Sequence, residues 1–126
     1  MIMASLSIVT STARSLIAEM LDERGMWGVL HVSEPTPADP LATIVKMSGQ
    51  YAVKVDWERE GSVLRNSTPL SFAGIADLAS VSWIALTTDS SAKTILFAGE
   101  VAEPEASGSG WDVFLVPAGS IQVVVA

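Results

Sequence analysis

After residue 25 the chain divides into short apolar segments separated by turn-forming residues, and this spacing limits what it can fold into. Three prolines interrupt residues 34–40, and clusters of Gly, Ser, Asn or Asp separate most of the other segments. Within the segments apolar and polar residues often alternate, which is the period of a strand buried on one face. About seven to nine short strands are predicted. Residues 1–126 are therefore predicted to form a single, mainly β domain, an antiparallel β-sandwich of the jelly-roll or immunoglobulin-like kind.

One short N-terminal α-helix, over residues 11–24, is the exception. Thr10 or Ser11 can supply the N-cap oxygen, Arg24 suits the negative C-terminal end, and Gly25 can adopt the left-handed conformation that ends a helix. Glu19, Asp22 and Glu23 are predicted to face solvent. The apolar residues fall on one stripe at helical spacing, and they are Ala13, Leu16, Ile17, Met20 and Leu21.

The segment that starts at Trp27 is apolar on both faces, which predicts a central strand. Residues 81–87 and 94–98 are predicted to pair across a polar loop, and residues 111–116 and 121–125 across the turn Pro117–Ser120. Residues 58–61 are predicted to form a polar turn, and 73–80 a loop or one helical turn. The other predicted strands are 41–47 (weak), 51–57, 63–64 and 70–72.

Composition excludes several classes of function. Fourteen acidic against seven basic residues give a net charge of −7, which repels phosphate backbones and disfavours nucleic-acid binding. Uninterrupted apolar runs fall short of the ~20 residues that a membrane-spanning helix needs. Met1–Val9 lacks a basic n-region and is not expected to be a signal peptide. The absence of cysteine excludes disulfides and thiolate metal sites.

Catalytic residue types are scarce. His31 is the one histidine, no His or Cys stands near it at ligand spacing, and no serine lies in a Gly-x-Ser-x-Gly elbow. We therefore expect a packed or interface histidine, no enzymatic activity, no cofactor and no metal. The sequon Asn66-Ser67-Thr68 is too short a pattern to carry weight.

Two groups of carboxylates are the remaining candidates for chemistry. One comprises Asp56, Glu58 and Glu60, which share a face if the chain is extended, and the other comprises Glu100, Glu103, Glu105 and Asp112. Either could contribute oxygens to a calcium site, although solvated acidic edges that prevent aggregation are the favoured interpretation.

Four tryptophans stand at similar intervals, at Trp27, Trp57, Trp83 and Trp111, but the residues around them do not repeat. The favoured interpretation is that they anchor the core. The alternative is an exposed aromatic platform for carbohydrate.

Six segments stand in a recognisable order along nearly the whole chain. They are the helix at Thr12–Ile17, the strand Trp27-Gly28-Val29-Leu30-His31 before the Pro-rich loop Glu34–Pro40, the stretch Asn66–Phe72 ending in Leu-x-Phe, the strands Val81–Leu86 and Ile95–Gly99, and the closing Val116–Ile121. This order resembles a family of small virion structural proteins of actinobacteriophages, often labelled tail-fibre-like. Ser120 departs from the family pattern, because many relatives carry an acidic residue after the glycine that corresponds to Gly119.

This resemblance implies a β-sandwich that assembles with other virion proteins, and a location in the phage particle. The sequence shows no long repetitive shaft of the kind a fibre needs. We therefore expect a non-enzymatic capsid decoration (minor capsid) protein that binds the capsid exterior in many copies. The alternatives are a tail or tail-fibre-associated protein and a carbohydrate-binding module. The expected partners are the major capsid protein or tail proteins and further copies of the chain, with contacts at Ile2, Leu6, Ile8, Leu16, Met20, Pro35 and Pro37.

Overall fold

A computed structural model describes residues 10–101 and 113–125 of the chain. It shows a mainly β, antiparallel sandwich-like fold with one α-helix at its start, as the sequence predicted. The described elements are α1 (Ser11–Arg24), β1 (Met26–His31), β2 (Ala52–Val55), β3 (Trp57–Glu60), β4 (Val63–Asn66), β5 (Leu70–Ala73), a 3₁₀ turn (Leu78–Ser80), β6 (Trp83–Thr87), β7 (Ile95–Glu100), β8 (Val113–Val116) and β9 (Gln122–Val124).

Both ends of α1 are capped as the sequence predicted. The Thr10 side chain accepts a hydrogen bond from the Ala13 amide at 3.2 Å, which satisfies one of the free amides of the first turn. Gly25 has a φ of +79°, and its amide donates to the Leu21 carbonyl. The chain then enters β1 at once, so the end of the helix is tied to the centre of the main sheet.

The strands form three antiparallel sheets. Their orders are β2-β1-β6-β7, β3-β4-β9 and β5-β8. β1 lies inside the four-stranded sheet, and its apolar residues fill both faces, which confirms the central strand. β2 and β3 follow each other with Asp56 between them, so one extended stretch passes from the four-stranded to the three-stranded sheet.

The inward faces of the three sheets and one side of α1 enclose the main core. Its largest fully buried side chains include Phe72, Met26, Leu30, Leu64 and Ile75. A second, smaller cluster lies on the opposite face of the four-stranded sheet, where Trp27 packs against Val29, Ala52 and Ala92.

Three sequence predictions about strands are wrong. Residues 41–47 form isolated bridges at Ile44 and Met47, and no continuous strand. The predicted polar turn at 58–61 is mostly strand β3, whose charged residues lie on the exposed edge of a sheet. β8 and β9 do not pair across Pro117–Ser120, because β8 pairs with β5 and β9 with β4. The predicted start of the first of these two segments, residues 111 and 112, lies outside the described residues.

A buried amide explains why β8 and β9 separate. The side chain of Asn66, only 1% exposed, donates to the carbonyls of Thr68 and Pro117 at 3.0 and 2.9 Å and accepts from the Ile121 amide at 2.8 Å. The Gly119 amide also donates to the Asn66 carbonyl. These bonds fasten the 117–121 turn to the end of β4, so the chain leaves β8 in one sheet and enters β9 in another.

Gly74 lies where residues 46–49 and 73–76 pair closely in antiparallel fashion, and replacing it with alanine is expected to destabilise the fold by about 2–3 kcal/mol. Its φ is +74°, and an added Cβ would meet the Ser48 side chain and come within 3.0 Å of the Gly49 nitrogen. Gly61→Ala is the matched control, because Gly61 has a φ of +61° and its Cβ would have no neighbour within 4 Å. Urea unfolding should show a clearly larger loss for Gly74→Ala than for Gly61→Ala. Equal losses would contradict the close backbone approach at Gly74.

Candidate docking surface

Three large apolar side chains of α1 project into solvent. Leu16, Ile17 and Met20 are 56%, 42% and 66% exposed, respectively. They lie on consecutive turns and form one continuous patch, called the α1 face below. Isolated exposed apolar residues are common, but three together on one face of a helix form the kind of patch that makes a candidate docking surface.

The opposite side of the helix packs on the protein. Ala18 is fully buried, half-buried Leu21 packs against the same core, and the helix contacts β3 and β4. At about 100° per residue, Ala18 points roughly 150° away from the centre of the α1 face. The small Ala18 side chain lets the helix approach the sheet closely. The predicted apolar stripe is therefore divided, with Leu21 turned inward and the residues of the α1 face outward.

The acidic residues of α1 follow the same geometry. Glu23 is exposed, as predicted, but Glu19 and Asp22 are half-buried, so the prediction that all three face solvent is wrong for these two. The helix packs on the sheet through Ala18. Glu19 and Asp22 lie beside this contact, although the position of the apolar stripe predicted that they would face solvent.

Of the predicted contact residues that the structure describes, three are exposed and one is buried. Leu16 and Met20 are both on the α1 face, and Ile17 joins them, although it was not among the predicted contacts. Pro37 is exposed, whereas Pro35 is buried, so its side chain packs within the chain. Ile2, Leu6 and Ile8 lie outside the described residues.

His31 is buried on the face of the four-stranded sheet that carries the second cluster. It is 1% exposed and lies directly opposite Trp83 on β6, and its Nδ1 is 2.8 Å from the Thr43 hydroxyl. Burial lowers the pKa of His31 below its ordinary value of 6.5, and a hydrogen bond with the backbone of Thr43 partly opposes this shift. The neutral ring is thus the form that the fold stabilises.

Acidification through the region below pH 6.5 is expected to destabilise the protein through His31. The unfolded chain takes up a proton there before the folded one does, so the free energy of unfolding falls with pH by up to about 1.4 kcal/mol per unit. His31→Gln removes this titration, and urea unfolding at pH 7.5 and 5.5 should show a flatter dependence than in the wild type. The same slope in both proteins would contradict the assignment, since His31 is the one histidine of the chain.

The carboxylates that the sequence singled out do not form a metal site in the part of the chain that the structure describes. Within residues 10–101 and 113–125, no three His, Asp or Glu side chains come together in a way that could hold an ion. Glu58 and Glu60 are exposed on β3, and Glu58 lies opposite Arg65 on β4. Glu103, Glu105 and Asp112 are outside the described residues.

Three tryptophans lie in the described residues, and all are half-buried. Trp57 packs against the main core and Trp27 against the second cluster, which fits their predicted role as anchors. Trp27 and Trp83 lie on the same face of the four-stranded sheet, because Trp27 shares a face with His31 and His31 pairs with Trp83. Trp111 lies outside the described residues.

No protein-family model, curated protein or solved structure matches this chain. Among the described residues, no helix combines the length and the apolar character needed to span a bilayer.

Proposed function

We propose that this chain is a non-enzymatic structural protein of a bacteriophage virion that attaches to the capsid exterior through the α1 face. The observation that carries the proposal is the exposure of Leu16, Ile17 and Met20 on a helix whose other side is packed. The resemblance of the strand and turn motifs to those of small virion proteins supports the phage particle as the assembly to which the chain attaches.

The size of the α1 face suits a contact made many times over. Full burial of a Leu, Ile or Met side chain contributes about 1.5–3 kcal/mol. These three side chains are already partly covered, so covering the rest contributes roughly 3–5 kcal/mol in total. This free energy is modest for the binding of one copy. When copies on a shell also contact one another, the binding of many copies is much tighter than that of one.

The position of the patch supports one-sided attachment. The α1 face lies on one side of α1, and the sandwich packs on the other side. Docking through the helix would leave most of the strand surface, and many of the charges of a chain with a net charge of −7, turned towards solvent. Such an arrangement suits a decoration protein on the outside of a shell.

The direct test is to purify particles of the phage that encodes the chain and identify their proteins by mass spectrometry. We expect the chain in many copies per particle, and we expect antibody labelling in electron micrographs to fall on the head. Labelling confined to the tail would replace decoration with the tail-associated alternative. Absence from the particle would overturn the virion role.

Carbohydrate binding is a second candidate, favoured by the shared face of Trp27 and Trp83. A glycan array probed with the wild-type protein and with Trp83→Ala tests it. Binding to a defined glycan that Trp83→Ala loses would support this function, and an array without binding would remove it.

A further inference from the structure

Within the described residues, the two larger sheets leave a gap between one edge of each. The four-stranded sheet ends on β7 and the three-stranded sheet ends on β9. Among the described residues, no strand pairs with the outer edge of either. On the opposite side, the continuous stretch from β2 to β3 joins the same two sheets. We call the gap between Ile95–Glu100 and Gln122–Val124 the seam.

The floor of the seam is apolar. A cleft of about 290 Å³ lies between the two edges. Its apolar lining comes from Ile84, Leu86 and Phe97 of the four-stranded sheet and from Ile121 and Val123 on the β9 side. Glu100, Ser120 and Gln122 also line the cleft. Small-molecule pockets usually begin at about this volume. Two strand edges that no described strand pairs with, on either side of an apolar floor, are what an added strand requires.

We infer that the seam binds residues Ile2–Val9 of a second copy as an additional strand. The inference extends the proposed function, because it requires the chain to act in several copies, and it names the surface that joins them. Main-chain hydrogen bonds to β7 or β9 would supply affinity, and alternate side chains pointing at the apolar floor would supply specificity.

The sequence of the N-terminal segment fits this role. Its even positions, Ile2, Ala4, Leu6 and Ile8, are all apolar, and serine occupies two of the odd positions between them. Residues 2–9 contain no charged side chain, no proline and no glycine. Eight residues are enough to match the six residues of β7.

The short connection to α1 favours a second copy over the same chain. If residues 3–8 occupied the seam of their own chain, only Val9 and Thr10 would join them to the helix. The three Cα–Cα steps from residue 8 to Ser11 span at most about 11 Å when fully extended. α1 packs on β3 and β4, and the seam lies two strand spacings beyond β4, about 10 Å away, so this connection would have to be almost fully extended. A neighbouring molecule does not face this restriction.

Introduced cysteines test the inference cleanly, because the chain has none of its own. The acceptor is Gly99→Cys, since Gly99 lines the cleft and a Cβ there would have no neighbour within 4 Å. The donors are three separate variants, Ala4→Cys, Leu6→Cys and Ile8→Cys, which cover the possible registers. Ser5→Cys and Ser7→Cys are the matched controls, because in the proposed added strand their side chains would point away from the cleft.

Each donor is mixed with the acceptor at equal concentration and oxidised, and the products are separated without reductant. We expect at least one even-position donor to give a mixed disulfide dimer at least ten times more abundant than either control. No dimer above the control level with any donor would overturn the inference. A chain carrying both Gly99→Cys and the best donor should also cross-link between molecules, and a purely intramolecular bond would overturn the assignment to a second copy.

A substitution without cysteine separates this inference from the proposed function. In light scattering, the Leu6→Asp protein should have a lower average mass than the wild-type protein. The Ser5→Asp protein should have the same average mass as the wild type. A wild-type protein that is monomeric at every concentration tested would overturn strand exchange. A third outcome combines two results: particles bind the Leu6→Asp protein as tightly as the wild type, and no disulfide cross-link forms. This outcome would overturn the binding of residues 2–9 in the seam of a second copy, and it would leave the proposed virion role intact.

Discussion

Replacing Asn66 with aspartate is expected to destabilise the protein by about 3–5 kcal/mol at neutral pH. The carboxylate keeps the bond from the Ile121 amide but loses both donated bonds, and it then faces the carbonyls of Thr68 and Pro117. Each lost bond that leaves a buried acceptor unsatisfied costs about 1–3 kcal/mol. This loss is a large part of the roughly 5–15 kcal/mol that stabilises a domain of this size.

The pH dependence of the Asn66→Asp defect gives an internal check. A buried carboxyl that faces two carbonyls favours its protonated form, so its pKa in the folded state rises above that of the unfolded chain. Stability relative to the wild type should therefore recover as the pH falls from 8 towards 5, because the protonated carboxyl can donate again.

Urea unfolding measures both effects, and Gln122→Glu is the matched control because it makes the same amide-to-carboxylate change on the exposed surface of β9. The control should change stability by less than about 0.5 kcal/mol. An Asn66→Asp defect below about 1 kcal/mol at neutral pH would contradict the role of this amide.

Replacing Leu16 and Met20 together with glutamine is expected to weaken attachment to the particle at least about 100-fold. Each substitution removes an apolar contact of roughly 1.4 kcal/mol or more, and each such loss corresponds to a factor of ten in affinity. Both side chains are largely exposed, so the free energy of unfolding should change by less than about 1 kcal/mol.

Rebinding to particles stripped of the chain measures this effect. The control is Leu41→Gln with Leu115→Gln, which removes two exposed leucines, 41% and 48% exposed, that are not part of α1. The control should bind like the wild type. Equal binding by both double variants would show that the α1 face is not the contact surface.

Elements specified by nearby residues could be predicted closely from the sequence. The bounds of α1 agree with the structure, because Thr10 and Gly25 provide caps that act within one turn. The β6–β7 hairpin was also predicted correctly, since its loop joins two neighbouring segments and Ala92 takes the positive φ of 59° that a tight turn uses.

Features that depend on distant partners could not be predicted. Adjacent position in the chain suggested that β8 and β9 pair, but the bonds of Asn66 to Pro117 and Ile121 cross more than 50 residues and separate the two strands. β3 resembled a turn because three of its four residues are charged, and only its pairing with β4 makes it a strand.

The candidate docking surface on α1 was also only partly predictable from the sequence. The sequence located an apolar stripe on α1, but periodicity alone does not say which side packs on the sheet. The close approach at Ala18 decides this, and it leaves Leu16, Ile17 and Met20 outward. The seam depends on strand order across the whole chain, so no local pattern could reveal it.

Methionine oxidation in the free and the assembled protein tests the central claim most directly. Met20 lies on the α1 face and is 66% exposed, whereas Met26 is fully buried and serves as an internal reference. Dilute peroxide converts accessible methionine to the sulfoxide, and mass spectrometry gives the rate at each position.

In the free chain, Met20 should oxidise much faster than Met26. In purified particles that contain the chain, the rate at Met20 should fall at least tenfold while Met26 stays slow, because the α1 face is then covered. Oxidation of Met20 at the same rate in particles as in the free chain would contradict attachment through this face.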